Sequence, residues 1–303
     1  MMERYTYQSA LSASENGRWR LEDIIGDGKR LDFGKPFMPE SLARVEPLAF
    51  LDRREKLILN QIRGNAYLSI FGLVEEFILP FVIDHARPQL QGDDYRVRAL
   101  LQFAGEEAKH IQLFKHFRQE FEEGFGTFCP VIGPPEAIAS VILAHDPLGI
   151  AITTLHIEWM VQGHFLDSIR DDHDLDPQFK SLLKHHWIDE VQHAKLDTLM
   201  IESLAVGRSQ EQIMKGVDEY LEIGEFLDNG LAQQVELDLD SFERATSRQL
   251  TVEETKQFRQ VQVQANRFTY LGSGMTHPKV LETLGSLDPK ARKKIEEISA
   301  AFC

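Results

Sequence analysis

His186-Trp187-Ile188-Asp189-Glu190-Val191-Gln192-His193 is the stretch on which the reading of this 303-residue chain turns. As a helix it puts His186, Glu190 and His193 on one face, because positions i, i+4 and i+7 stack along successive turns. Three side chains of metal-ligating type thus converge. A second stretch, Glu106-Glu107-Ala108-Lys109-His110, repeats the Glu-x-x-His core, which occurs nowhere else in the sequence. Each copy has a further glutamate thirty-two residues upstream: Glu75 before Glu107, and Glu158 before Glu190.

One glutamate from each of two helices, plus one Glu-x-x-His from each of two others, is the ligand set with which four-helix bundles hold two iron or manganese ions. A lone Glu-x-x-His is usually a solvated helix face; the matched pair makes the signal specific. Glu75 lies at helical spacing from Leu68, Phe71, Ile78 and Val82, so its face reads as buried, where a charge is costly unless compensated. Two divalent ions would neutralise four such carboxylates. Glu76 points about 100° away around the helix, beside Ser69, Leu73 and Pro80, so Glu75 is the preferred ligand. Asp189 and Glu106 directly precede the ligand glutamates, where a carboxylate can orient an imidazole through its second nitrogen. Four residues before the ligand glutamate the first half has Phe103 and the second has His186. His186 is therefore a seventh candidate ligand, expected on the metal held by Glu190 and His193, with Phe103 a wall. Carboxylates and imidazoles without thiolate suit iron, with manganese the alternative, better than zinc. His116, His145, His156, His164 and His185 have no such partners and are expected at surface or capping positions.

Composition bounds the rest. The chain is long enough to bury a core without staples, and two cysteines, Cys129 and Cys303, argue against a disulfide framework or an iron-sulfur cluster. The start lacks the basic-then-apolar order of a secretory signal, and no run of about eighteen apolar residues stands out, so a soluble, cytoplasmic protein without a membrane partner is expected. Forty-eight acidic against 33 basic side chains give a net charge of −15, which repels phosphate backbones and disfavours nucleic acid.

In chain order, residues 1–51 read as an irregular arm rich in glycine and proline. Apolar residues then recur at threes and fours from 52 to 86, with Pro80 expected to bend or shorten the last turns. A second helix runs from an Asp93 cap to about Glu123, ending at Gly124. The stretch 125–135 is a crossover, followed by a short helix to about Ala144. Asp146-Pro147 opens a helix to about Arg170, and Asp176-Pro177 opens the one that carries the central stretch to about Val206. Helical segments follow at 209–224, 226–246, 252–271 and 287–300, with caps at Ser209, Thr251 and Asp288. The expectation is an all-α chain in three parts: arm 1–51, four-helix bundle 52–206, and helical extension 207–303, which covers the bundle or forms a homodimer contact.

The bundle residues resemble the ferritin-like di-iron carboxylate proteins. Glu158, thirty residues, then Asp189-Glu190-Val191-Gln192-His193 is similar to the signature of the p-aminobenzoate (arylamine) N-oxygenase family, as is an additional histidine matching His186. The likeness covers about 52–206. It implies a ferritin-like bundle that uses dioxygen as co-substrate and external electrons to oxidise a small molecule, foremost an amine, at two iron ions. Helical spacing places Phe71, Gly72, Phe103, Leu155, Gln162 and Phe165 around a mostly apolar pocket, with Gln162 able to fix a polar group. Trp159 and Trp187 are close to ligands in sequence, yet turned aside and expected in the core. No flavin or nicotinamide glycine fingerprint is present, so a separate electron donor is expected. The nearest rival is a di-iron hydroxylase or desaturase acting on carbon; an iron store without oxygenase chemistry is another.

Overall fold

The structure, a computed structural model, describes residues 5–26 and 28–303. Met1 to Arg4 and Asp27, which belong to the arm, lie outside the described residues. The α-helices are α1 (Tyr7–Asn16), α2 (Leu21–Ile24), α3 (Glu40–Ala43), α4 (Arg53–Ala86), α5 (Asp94–Phe125), α6 (Pro135–Ile142), α7 (Pro147–His164), α8 (Pro177–Ala205), α9 (Gln210–Thr246), α10 (Val252–Arg267), α11 (Ser273–Met275), α12 (Pro278–Leu287) and α13 (Pro289–Ser299). No strand occurs among the described residues.

Short polar side chains start these helices by accepting from amides that the first turn leaves unpaired. Asp52 accepts from Glu55 N at 2.8 Å while the Glu55 carboxylate accepts from Asp52 N at 2.9 Å. Asp93, Asp146, Asp176, Ser209, Thr251 and Asp288 all cap as their sequence context suggests. At the other end of α5, Gly126 takes φ +77°, a left-handed conformation glycine adopts without strain. The helix passes through Gly124, where any side chain would run into the Phe33 ring.

α4 packs on α5 and α7 on α8, each pair joined by a short connection, while the long crossover carrying α6 links the pairs. One crossover between two hairpins of helices is the ferritin-like arrangement. α7 continues into a π-helical turn, Phe165–Ile169, and α10 into another, Phe268–Gly272. Such turns widen a helix by one residue and cluster near functional sites.

Several expectations are corrected. Pro80 does not shorten α4, which reaches Ala86 as expected. The segments expected at 209–224 and 226–246 are one 37-residue helix, α9, which carries Gly216, Gly224 and Gly230 in its interior, each at a cost of only about 1 kcal/mol. α12 was not expected; Pro278 in its first turn is the sequence signal. The arm is not irregular throughout: Thr6 and Ser9 form a capping box at the start of α1, which packs on α5 and α8. The rest of the arm is strapped by buried amides. Asn60 accepts from Phe37 N and Met38 N at 2.8 and 3.0 Å, and Gln61 donates to the carbonyls of Phe33 and Lys35. Phe37 stacks on Phe179 at 5.0 Å. Against the expectation of no apolar run, Arg53–Gln89 has the length and composition to cross a membrane, but 72% of its apolar window is buried inside the protein, as in a core helix.

Nor are His156 and His164 at the surface. Both are buried. The Tyr270 carbonyl can only accept, so His156 Nε2–H donates to it at 3.1 Å, and Nδ1 accepts from the Tyr220 hydroxyl at 2.7 Å. Likewise Ser273 donates to the Thr269 carbonyl, so His164 Nε2–H donates to Ser273 Oγ and Nδ1 accepts from Tyr67 at 3.0 Å. Burial holds both imidazoles down, His156 to about 4 and His164 to about 3. The folded chain keeps them neutral, whereas the unfolded chain takes up protons below about pH 6.5. Their contribution is therefore intact above that pH and is lost as the pH falls toward 4. His156→Gln, whose amide can keep both bonds, should flatten the pH dependence of urea unfolding, by about 2 kcal/mol between pH 7 and 5.

Candidate metal centre

The four long helices of the bundle each aim carboxylates or imidazoles at one point. Glu75 of α4, Glu107 and His110 of α5, Glu158 of α7, and His186, Glu190 and His193 of α8 are all buried. Two overlapping groups form: Glu75, His110, His186 and Glu190, and Glu107, His110, Glu190 and His193, each with ligand-type atoms within 4.8 Å of one another. His186 Nε2 is 3.0 Å from Glu75 Oε1 and 2.5 Å from Glu190 Oε1. His193 Nδ1 is 2.7 Å from Glu190 Oε2 and 2.9 Å from Glu107 Oε1.

The two Glu-x-x-His motifs brace each other crosswise. His110 Nε2 lies 2.9 Å from Asp189 Oδ2, and His193 Nε2 lies 3.0 Å from Glu106 Oε2. The carboxylate before each ligand glutamate thus holds the imidazole of the opposite motif. Each carboxylate takes an Nε2–H and leaves Nδ1 facing the glutamates, the usual way an outer partner fixes a ligand tautomer. Glu106 is itself anchored, accepting from Ser14 of α1 at 2.5 Å and from Gln102 at 2.8 Å. Asp189 pairs with Lys109 at 2.7 Å.

The electrostatics are those of a site that wants cations. Burial and then repulsion from Glu75 push Glu107 up to about 7. Burial and the Glu190 charge raise Glu158 well above the usual carboxylate range. Burial pulls the His186 imidazole down, but Glu190 and Glu75 outweigh it and hold it at about 9. Both Glu107 oxygens, one oxygen each of Glu75 and Glu158, and His110 Nδ1 lack a hydrogen-bond partner. Unpartnered buried donors and acceptors are rare in a settled core. Their convergence, with no sulfur nearby, fits two hard or borderline divalent ions.

Glu75 rather than Glu76 turns inward; Glu76 is partly exposed and faces Lys115 at 3.8 Å. Glu158 belongs to neither group of four, being hydrogen-bonded to Glu190. His186 sits with Glu75, not with His193 as expected. Seven residues separate the two histidines, about 10 Å along the helix axis, so they flank Glu190 on opposite sides. The expected pocket is also corrected. Phe103 stacks on His193 at 4.0 Å, Leu155 is fully buried, Gln162 donates to the Trp187 carbonyl, and Phe165 stacks on Trp187. Gly72 lines a separate cleft beside Glu76, and only Phe71 lines an apolar cavity. Trp159 stacks on His277, away from the ligands.

Two residues near the centre escaped the sequence reading. Asp197 is fully buried one turn beyond His193, and neither of its oxygens has a hydrogen-bond partner; the neighbouring Thr154 hydroxyl donates to the Ala151 carbonyl instead. Burial raises it well above the usual range, and its place on the His186-Glu190-His193 face was a readable signal. Trp19 stacks on His110 at 6.0 Å and 10°, with the Lys109 ammonium 3.7 Å from its ring centre. No local pattern in the arm announces that contact.

No protein-family model matches the sequence, and no curated protein matches it. Among solved structures the chain is similar to variants of an R2-like ligand-binding oxidase. One, with an aerobically reconstituted Fe/Fe cofactor, is 17% identical over 88% of this chain and 93% of that one, with a TM-score of 0.48. Another, with an anaerobically reconstituted Mn/Fe cofactor, is 16% identical over the same shares, with a TM-score of 0.48.

Glu75→Ala should remove bound iron, measured by elemental analysis, whereas Glu76→Ala should leave it unchanged. Asp189→Ala, which frees the His110 ring, should weaken iron about 10- to 100-fold in chelator competition. Retention of full affinity would show that the crosswise bracing does not support the ligands.

Proposed function

We propose that this chain is a non-haem di-iron oxygenase that uses dioxygen to oxidise a small organic substrate, with amine N-oxygenation the foremost reaction. The observation that carries the reading is the pair of buried four-residue groups sharing His110 and Glu190. Glu75, Glu107, His110, Glu158, His186, Glu190 and His193 would hold two iron ions, or manganese. The bound ions would supply dioxygen activation and electron storage.

The chain's own groups do the rest. Asp189 and Glu106 retain the Nε2 protons of His110 and His193 and so fix which nitrogen faces inward. Phe103 on His193, and Phe114 and Phe71 on His186, exclude water from the imidazoles. Asp197, raised by burial, keeps a proton inside that dry space. His186 makes the two halves unequal, because Phe103 occupies the matching place in the first motif.

Around this bundle, residues 52–206, we place the arm and the extension as cover, with Arg63 of α4 pairing with Asp238 of α9 at 3.6 Å. Electrons come from a separate donor. The free thiols of Cys129 and Cys303 suit the reducing cytoplasm, and the net charge of −15 suits neither nucleic acid nor an anionic membrane as partner.

Anaerobic loading should give about two irons per chain, as the ligand set requires, and the reduced protein should consume dioxygen in proportion to substrate oxidised. His186→Phe, which restores the symmetry of the two halves, should keep its iron but lose or redirect oxidation. Ferric mineral without product would mean an iron store; carbon hydroxylation alone would move the reaction from nitrogen to carbon.

A further inference from the structure

The bundle and α9 enclose a cavity of about 180 Å³. Ile70 and Val74 of α4, Ile157 and Met160 of α7, and Leu227 of α9 form its walls. Val74 and Ile157 directly precede Glu75 and Glu158, so the cavity runs along the same two helices as the metal centre. The residue between the two is Phe71. It lines the cavity, while its ring meets the His186 imidazole edge-on at 5.6 Å.

The chemistry of the lining is selective. No aspartate, glutamate, lysine, arginine or histidine faces the cavity among the described residues. Its polar side chains are Asn229 and Gln233, exposed at the mouth, and Tyr270 within. Tyr270 is 8% exposed, stands 6.3 Å from the Phe71 ring, and its hydroxyl has no hydrogen-bond partner among the described residues. An apolar cavity of about 150 Å³ is known to take one benzene ring, and Tyr270 is the polar side chain that lines this one away from its mouth.

We infer that this cavity is the binding site for an uncharged, single-ring substrate with one hydrogen-bonding substituent, met by the Tyr270 hydroxyl. The inference rests on the proposed di-iron oxygenase reading and narrows it. An arylamine is neutral at pH 7.5 and enters; an alkylammonium or an aryl carboxylate would arrive charged, with no counter-charge to meet it, and the desolvation cost excludes it. Phe71 stands between bound ring and metal ligands, so its rotation is the step that brings the two together.

Calorimetry on the iron-loaded full chain under dinitrogen tests this with matched probes. Aniline and phenol should bind, and benzoate and benzylamine should bind at least ten-fold more weakly. Tyr270→Phe should weaken aniline and phenol about five-fold and leave toluene, which has no polar group, unchanged. Leu227→Trp, which fills the cavity from α9 far from the ligands, should abolish binding of all three; Ile138→Trp does the same from α6 where the first variant fails to fold. Benzoate binding as tightly as aniline, or a folded filling variant that still binds aniline, overturns the inference. Iron content and dioxygen uptake, read on the same samples, separate the two claims. Aniline bound by a chain that holds no iron keeps the cavity and removes the di-iron reading; two irons and dioxygen uptake without aniline binding do the reverse.

Discussion

Four glutamates buried at one point in a helical bundle are the constraint from which the rest of this structure follows. Each unpaired carboxylate in such a place would cost several kcal/mol, and here Glu75, Glu107, Glu158 and Glu190 are joined by Glu106, Asp189 and Asp197. The chain's own answer is three imidazoles set among them and protons retained where repulsion is greatest. That answer is partial, since several oxygens have no partner. Cations complete it, and the same excess of negative charge that makes the core awkward makes it selective for metal.

A second consequence is the bracing. Because Asp189 holds His110 and Glu106 holds His193, α5 and α8 are coupled through the ligands themselves. Glu106 depends in turn on Ser14 of α1, and Asp189 on Lys109, which lies over Trp19. The N-terminal arm therefore reaches the metal centre through an outer ring of polar contacts. Its attachment by Asn60, Gln61 and Gln178, polar residues inside helices, gives those side chains a role that their positions in an apolar pattern would not suggest. The extension does a parallel job on the other face, where α9 closes the cavity beside Phe71.

Much of this was legible in advance because helix periodicity is local. The spacing of His186, Glu190 and His193, the echo at Glu107 and His110, and the caps at Asp93, Asp146 and Asp176 depend only on residues within a turn or two, and all appear in the structure as helical features. The inward choice of Glu75 over Glu76 followed from the same geometry. Around the site, what failed was whatever depended on a distant partner. His156 and His164 were placed outside because nothing near them in sequence explains burial; their tyrosines, Tyr220 and Tyr67, come from other helices. The pocket assigned to Phe103, Leu155, Gln162 and Phe165 failed for the same reason, since neighbours on other elements fill those positions.

By itself, the sequence determined the four bundle helices, the caps at Asp93, Asp146 and Asp176, and the four-fold convergence of glutamate with two Glu-x-x-His motifs, because each is a matter of period and of the chemistry of single residues. Only the tertiary structure decided that Asp189 serves the opposite motif's histidine, that His186 sits with Glu75 rather than His193, that Trp19 covers His110, and that the cavity lies behind Phe71 under α9. Those are relations between elements far apart in the chain. They are set by how helices cross and which side chains meet there, information that no single helix carries.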